Sequence, residues 1–332
     1  MEPADLVLTT RIRLARNIEN VPFVTNRKSL FMQIADKIKN SNKNYFIATA
    51  QNLDIKTREA LYEQHLISKE FLDNIDNGII VTRGDNKVSV MLGEEDHIRI
   101  QAITNNFDLD TPYQTAKVLA EQLEKHFKIA RDNDLGYLTH HPANLGSGMR
   151  ASVMIYLPAL TEREKIKKTI LSITKKIGNK ITVRGVYGEG SSAESCIFQI
   201  SNQDCIFMTD DEILSLVRAT VYEISLAEFN EQQEWYTEKH DEIANEVFKA
   251  WGILTNALML DSHETAKYLV LIKLGICLGI LHFKNNKIID DLFFVTKPNT
   301  LATQLKIAIN DEKKRDKERA AKVREILLSS RI

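Results

Sequence analysis

Residues 88–103, VSVMLGEEDHIRIQAI, set two alternating apolar runs on either side of a short acidic turn. Period-two alternation marks a strand with one face toward a core, so Val88 to Leu92 and Ile98 to Ile103 read as strands joined through Gly93-Glu94-Glu95-Asp96-His97. Outward from this unit, the same pattern gives strands at Leu6 to Thr10, Gly78 to Arg83, Val153 to Leu157, Thr182 to Val186 and Ile197 to Ser201. Helical periods lie between them, clearest at Ser29 to Lys39, Thr57 to His65, Pro112 to Phe127, Glu162 to Ile177 and Asp210 to Gln233. No regular strand-helix-strand alternation appears, which predicts an α+β fold with a largely antiparallel sheet flanked by helices. From about Glu234 the pattern turns almost wholly helical, so residues 1–232 are expected to form one domain and 233–332 a smaller helical one.

The 332-residue chain has a formal charge of -1, so no global field recruits nucleic acid or an acidic membrane face, and any anion site must be local. Three scattered cysteines, Cys196, Cys205 and Cys277, supply neither a disulfide framework nor a zinc site, as expected of a cytoplasmic protein. The N-terminus carries charge within its first five residues and no apolar signal core. The most apolar stretch, Tyr268 to Leu281, contains Lys273 and falls short of the roughly 20 residues that span a bilayer; it reads as a core helix or a dimer seam.

Arginines recur beside turns and strand ends: Arg11, Arg13 and Arg16 in TTRIRLARN, Arg99, Arg150 in NLGSGMRASVM, and Arg184 in TVRGVYGEG. Arg11 and Arg13 occupy alternating strand positions, point to one face, and can grip phosphate oxygens bidentately. There is no Walker A sequence and no Gly-rich protein-kinase signature, so a phosphate site here must be made of arginines. Three consecutive carboxylates at a strand end repel one another, and at least one should meet a cation. Glu189, between Gly188 and Gly190, is a further candidate, since glycines let backbone approach a ligand. Two carboxylates can together orient a guanidinium and take up its proton.

TTRIRLARN, GEEDHIRIQ, GYLTHHPANLGSGMRASVM and RGVYGEG, in this order and spacing, strongly resemble the ATP:guanidino phosphotransferase family, which includes arginine and creatine kinases. The likeness covers about residues 6–232. EQHLISKEF, YGEGSSAESCIFQISNQ, IKLGICLGIL and the helical C-terminus further resemble the bacterial protein arginine kinases. The resemblance implies an ATP- and Mg²⁺-dependent enzyme that phosphorylates arginine side chains of proteins, with the metal held by phosphates and water rather than by a protein cage. It implies Glu95 as catalytic base and Glu189 as second guanidinium-binding carboxylate, with Arg11, Arg13, Arg99, Arg150 and Arg184 on the ATP phosphates and His65 against the adenine. The nucleotide-contacting stretches would be Thr9, Thr10, Arg11, Ile12 and Arg13, then Arg150, Ala151, Ser152, Val153 and Met154, then Arg184, Gly185, Val186, Tyr187 and Gly188. His97 reads as structural.

The family's Ser-Cys-Pro-Thr-Asn is replaced by His140-His141-Pro142-Ala143-Asn144, so His141 stands where a thiolate would align the substrate guanidinium. A histidine there offers one neutral acceptor, and repels a guanidinium when protonated. In the C-terminal region Arg315-Asp316-Lys317-Glu318-Arg319-Ala320 matches the RDxxRA pattern that the resemblance assigns to phosphoarginine binding, with Arg315 and Arg319 on one helical face, Asp316 on the ligand's guanidinium, and Ala320 completing the motif. Expected partners are proteins with exposed arginines, a second copy of the chain, a zinc-containing activator and a Clp-type unfoldase, with no nucleic acid and no membrane. Two alternatives stay open: a kinase for free arginine or another small guanidino compound, and a catalytically weakened phosphoarginine-binding regulator.

Overall fold

A computed structural model of the chain describes residues 2–23, 27–73, 76–186, 196–308 and 310–332. Eight strands form one sheet: β1 (Val7–Arg16), β2 (Tyr45–Thr49), β3 (Ile79–Arg83), β4 (Val88–Leu92), β5 (Ile98–Thr104), β8 (Met149–Tyr156), β9 (Ile181–Gly185) and β10 (Ile197–Asn202). Their order is β2-β3-β4-β5-β1-β8-β10-β9, with every neighbouring pair antiparallel, while β6 (Arg131–Asp132) and β7 (Gly136–Tyr137) make a small separate hairpin. The α+β, antiparallel reading of the sequence holds.

Helices complete the N-terminal part: α1 (Pro3–Leu6), α2 (Lys28–Ser41), α3 (Ile55–Glu63), α4 (Lys69–Asp73), α5 (Asp110–Glu124), α6 (Pro158–Glu162), α7 (Ile166–Ile177) and α8 (Asp210–Glu238). One sheet face is apolar, built from Ile12, Leu14, Val90, Ile100, Ala151, Val153 and Ile200, all at most 1% exposed. Phe31 and Ile34 of α2, Ala116 of α5 and Val217 and Val221 of α8 join them in a single core. Burial of this face supplies the main driving force, since each fully buried aliphatic or aromatic side chain contributes about 1.5–3 kcal/mol.

Several elements differ from the pattern reading. β1 runs six residues past Thr10, because Ile12 and Leu14 continue the buried alternation while the arginines between them face the other way. β2 was not expected; it is an edge strand with Phe46 exposed, so its alternation is weak. The expected helix 162–177 is two helices, separated where Glu164 takes φ +55. The helix α8 opens with a reciprocal Thr209–Glu212 capping box and continues through residues 232 and 233 to Glu238.

The C-terminal region consists of α9 (His240–Asn256), α10 (Ser262–Cys277), α11 (Lys287–Val295), α12 (Pro298–Gln304) and α13 (Glu312–Ser330). Gly275 lets α10 sit against α9: a Cβ there would lie 2.6 Å from Val247 Cγ1. Lys273, 4% exposed, pairs with buried Asp290 and donates to the Asp5 carbonyl at 3.1 Å. Lys287 Nζ donates to the carbonyls of Ala4 and Val7 at 2.7 and 2.8 Å. The C-terminal helices are thereby tied to the start of β1. Among the described residues, no helix is long and apolar enough to cross a membrane.

Candidate active site

Strand parity builds the second face of the sheet. Arg13 on β1 lies opposite Gln101 on β5 and Arg150 on β8, and Arg11 opposite Ile103 and Ser152. Thr9 pairs with Met154, which pairs with Gln199, which pairs with Arg184. Arg99 lies opposite Ala15, on the same parity. Directly opposed residues share a face, so Arg11, Arg13, Arg99, Arg150 and Arg184 stand together, as expected. Arg16 has the other parity: Nε meets Glu124 Oε1 at 2.9 Å and the guanidinium stacks on Tyr137, 3.5 Å from the ring centre.

The same rule corrects four expected nucleotide contacts. Thr10, Ile12, Ala151 and Val153 point into the helix-covered core at 0% exposure, and their backbones belong to the central ladders. Thr10 Oγ1 donates to the Asn106 carbonyl at 2.7 Å. Gly185 closes β9 at the sheet edge, and Val186 packs partly against the core. Tyr187, Gly188 and Glu189 lie outside the described residues.

The arginine face is electrostatically incomplete. Burial lowers Arg11 to about 10, with Arg99 and Arg150 adding repulsion, and burial together with Arg11, Arg99 and Arg150 depresses Arg13 further. Arg150 is lowered too, by burial and by Arg184 and Arg99. Among the described residues, the Nε atoms of Arg13 and Arg150 are buried without a partner. Arg11 Nη2 donates to Gln199 Oε1 at 3.0 Å and Arg150 Nη2 to Ser201 Oγ at 3.1 Å, both neutral acceptors. Unpaired donors in a cluster of like charges call for a multivalent anion.

The acidic turn divides its labour. Glu94, with a fully buried side chain, holds Arg99 Nη1 at 2.6 Å from both oxygens and accepts from Ser68 Oγ. Burial works to lower Arg99, but Glu94 and its hydrogen bonds outweigh it and raise the guanidinium. Glu95 lies 3.3 Å from Arg99 Nη1 and stays partly open; burial raises its carboxyl against the pull of Arg99, with Glu94 and Asp96 adding to the rise. A carboxylate whose pKa moves toward neutrality is a better proton acceptor. Asp96 Oδ1 accepts from Asn17 Nδ2 at 2.6 Å and from the His140 amide at 2.8 Å, so it anchors the loop that carries His141. His97 is structural: Nδ1 accepts from the Ile18 amide at 2.9 Å, which leaves Nε2 to donate to the Pro22 carbonyl at 2.8 Å. The sequence pointed to a cation for one carboxylate without saying which, and carried no sign of the Asp96 tether.

His141 caps the short turn Pro142–Asn144, accepting from the Ala143 amide through Nδ1 at 3.2 Å. The neutral acceptor expected to face a substrate is thus already used, and the neutral ring presents an N–H at Nε2.

A cavity of about 330 Å³ opens onto the arginine face, lined by Thr9, Arg11, His65, Ser152 and Met154. His65 follows α3 with φ +58, a left-handed conformation costly for a residue with a side chain. Its Nε2 is buried and unpartnered, and burial, with Arg11, Lys297 and Arg13 nearby, pushes the imidazole down to about 3. It is a neutral aromatic face at working pH. The cavity's other wall, including Asp291, Phe294 and Thr300, comes from the C-terminal helices, and nothing in the sequence indicated it. Among the described residues, no group of three or more His, Cys, Asp or Glu is arranged to hold a metal ion.

The expected phosphoarginine motif lies on α13, with Arg315, Asp316 and Arg319 close together. The open two-arginine grip is corrected: Arg319 is 1% exposed, donating from Nε to the Thr296 carbonyl at 2.8 Å and from Nη1 to the Leu260 carbonyl at 2.7 Å. Asp316 closes on Arg319 Nη1 at 2.5 Å, and Ala320 is fully buried. Arg315 stays nearer the surface, 3.9 Å from Glu312.

Residues 27–231 match the family model for the ATP:guanido phosphotransferase C-terminal catalytic domain, and residues 240–331 that for the protein-arginine kinase McsB C-terminal domain. The chain is 36% identical to the protein-arginine kinase of Shouchella clausii, over 98% of this chain and 92% of the relative, and 34% identical to that of Bacillus subtilis, over 98% and 90%. Among solved structures, the duplicated taurocyamine kinase of Schistosoma mansoni with bound transition-state analogue components superposes with TM-score 0.56 at 27% identity, covering 68% of this chain and 34% of that one. Lombricine kinase shares the fold, with TM-score 0.59 at 20% identity over 69% of this chain and 67% of that one.

Proposed function

The chain belongs to the ATP:guanido phosphotransferase family, and from that membership we propose that it is a protein arginine kinase, transferring the γ-phosphoryl group of ATP to arginine side chains. The observation that carries the reading is the set of five guanidiniums on one sheet face, Arg99 in contact with Glu95, with Nε of Arg13 and Arg150 buried and unpaired among the described residues. A polyphosphate supplies the missing counter-charge. Mg²⁺ would arrive on those phosphates and neutralise part of their charge.

In the reaction, Glu95 accepts the proton lost by the attacking guanidine nitrogen as the N–P bond forms. The bond from γ-phosphorus to the bridging oxygen breaks, and the negative charge passes to ADP. Arg99, held by Glu94, and Arg11, Arg13, Arg150 and Arg184 stabilise that moving charge, the main protein contribution to phosphoryl transfer. Support for a protein rather than a free guanidino acceptor comes from the protein-arginine kinase relatives and the McsB-type C-terminal domain. Partner recognition is proposed from the resemblance to bacterial protein arginine kinases alone: substrate proteins, a second copy of the chain, a zinc-containing activator and a Clp-type unfoldase. A cytoplasmic location accords with the three buried free cysteines.

The test is incubation with ATP and Mg²⁺ and either casein or free arginine, with mass spectrometry under neutral conditions that preserve the phosphoramidate. Phosphorylated casein supports the proposal. Transfer to free arginine alone overturns the protein-acceptor assignment.

A second reading, a weakened phosphoarginine-binding regulator, is favoured by the engaged Nδ1 of His141. His141→Cys decides it: a variant no faster than wild type at any pH shows that the histidine is a competent substitute.

A further inference from the structure

The cavity on the arginine face is bipartite, and the sequence-matched catalytic domain makes only part of it. Asp291, Phe294, Val295, Thr300 and Gln304, from α11 and α12, line it opposite Thr9, Arg11 and Met154. We propose that α11 of the C-terminal region is a nucleoside-recognising wall, in which Phe294 packs on the base beside His65 and the Asp291 carboxylate accepts hydrogen bonds from the ribose hydroxyls. The inference rests on reading this cavity as the nucleotide site.

The direction of the nucleotide follows from the sheet register. Arg13 and Arg150 share one cross-strand row, Arg11 and Ser152 the next, and Thr9 and Met154 the row beyond; the Arg184 backbone belongs to that last row on the far strand β9, but its Nε donates to Thr182 Oγ1 at 3.2 Å, back toward the Arg11 row. On β5 the same progression runs from Arg99 through Gln101 and Ile103 toward Asn105. Phosphates seated on the guanidinium rows leave the nucleoside to run toward Thr9, Met154 and Asn105. That end is where α11 stands, since Asn105 Nδ2 donates to Asp291 Oδ1 at 2.9 Å.

The chemistry at that end accommodates a nucleoside: Lys87 also lines the cavity, but its charge is met by Asp291. A carboxylate beside phosphate is repulsive, whereas ribose hydroxyls are donors, and an acidic residue accepting from ribose is a recurring solution in nucleotide sites. Asp291 Oδ2 has no hydrogen-bond partner among the described residues. Phe294 lies one helical turn further along, on the same side of α11, with its ring edge-on to His65 at 5.8 Å and 77°. Together they offer two uncharged aromatic surfaces and one free acceptor.

The wall is also fastened to the catalytic domain. Glu63, two residues before His65, accepts from the Asn299 amide and Nδ2 at 3.0 and 2.9 Å, and from the Thr300 amide and Oγ1 at 2.7 and 2.9 Å. One carboxylate therefore caps the start of α12 while ending the helix that delivers His65. Lys56 Nζ adds a bond to the Ile307 carbonyl at 3.3 Å.

The test uses the full chain. Calorimetry measures ADP binding, and steady-state kinetics compare ATP with 2′-deoxy-ATP and 3′-deoxy-ATP in wild type, Asp291→Asn and Phe294→Ala. Asp291→Asn is expected to weaken ADP binding and raise KM for ATP about tenfold, the scale of one charge-assisted hydrogen bond, with kcat within about twofold. Wild type should disfavour at least one deoxy nucleotide by a similar factor, and the variant should lose that discrimination. Phe294→Ala should weaken all three nucleotides alike. Wild-type ADP affinity with ribose discrimination retained in Asp291→Asn overturns the proposal. Absence of ADP binding by wild type overturns the nucleotide reading itself.

Discussion

Glu94 and Arg99 flank the acidic turn and meet across it: both Glu94 oxygens sit 2.6 Å from Arg99 Nη1, on a side chain with no exposure. Glu95, next in sequence, touches the same nitrogen only at 3.3 Å. The first carboxylate is committed to holding a cation, and the second, 23% exposed, is left partly open.

The two neighbours should therefore fail differently. Glu95→Gln keeps shape but removes proton acceptance, so kcat should fall about 10²–10⁴-fold with ADP affinity nearly unchanged. Glu94→Ala leaves Arg99 to its longer 3.3 Å contact with Glu95 and should cost about 2–3 kcal/mol of folding stability in urea. Equal effects of both variants on stability and on turnover would contradict this division.

Arg13 sits among like charges, with a buried unpaired Nε. Arg13→Met should raise the melting temperature of the nucleotide-free protein, because self-repulsion is relieved, yet abolish most of the stabilisation that ADP confers on wild type. Thermal unfolding with and without ADP reads both effects. A variant stabilised by ADP as strongly as wild type removes Arg13 from the clamp.

His65 carries a pH signature of known sign. Its folded value of about 3 lies below the ordinary histidine value near 6.5, so the neutral ring is the form compatible with folding. Its stabilising contribution is complete above about pH 6.5 and is lost as pH falls from there toward about 3. His65→Phe should show a shallower loss of thermal stability than wild type over that window. Parallel curves would mean that the ring is not held neutral by the fold.

Arg315 and Arg319, four apart on α13, should separate structure from binding. Arg319→Ala strips donors from the Thr296 and Leu260 carbonyls and leaves Asp316 without its ion pair, so it should destabilise the C-terminal region by about 2–5 kcal/mol. Arg315→Ala should destabilise less than Arg319→Ala, since the Arg315 side chain is 11% exposed against 1% for Arg319, and should weaken phosphoarginine binding in calorimetry. Unchanged phosphoarginine binding in Arg315→Ala would reduce this segment to a structural helix.

Strand alternation was legible wherever one face is buried, so the acidic hairpin, the antiparallel character and the shared face of Arg11 and Arg13 could be read from spacing alone. The motifs carried the family with them. The nucleotide-contacting stretches came whole from the family resemblance, and so include Thr10, Ile12, Ala151 and Val153, which the same alternation that gives Arg11 and Arg13 one face turns into the core. Nor could it rank three adjacent carboxylates: Glu94, Glu95 and Asp96 are told apart by Arg99, by partial exposure and by Asn17, each fixed by a different element. The contribution of Asp291 and Phe294 to a cavity floored by β1 and β8 was wholly a matter of tertiary structure. These residues lie over 130 positions along the chain from Met154, and long-range contacts bring them there: the Asn105–Asp291 bond, the Glu63 cap on α12, and Lys273 and Lys287 near the start of β1. Local sequence records which way a strand or helix turns its faces, because that depends on neighbours a few residues away. Which faces then meet depends on long-range burial and polar pairing, which no local pattern encodes.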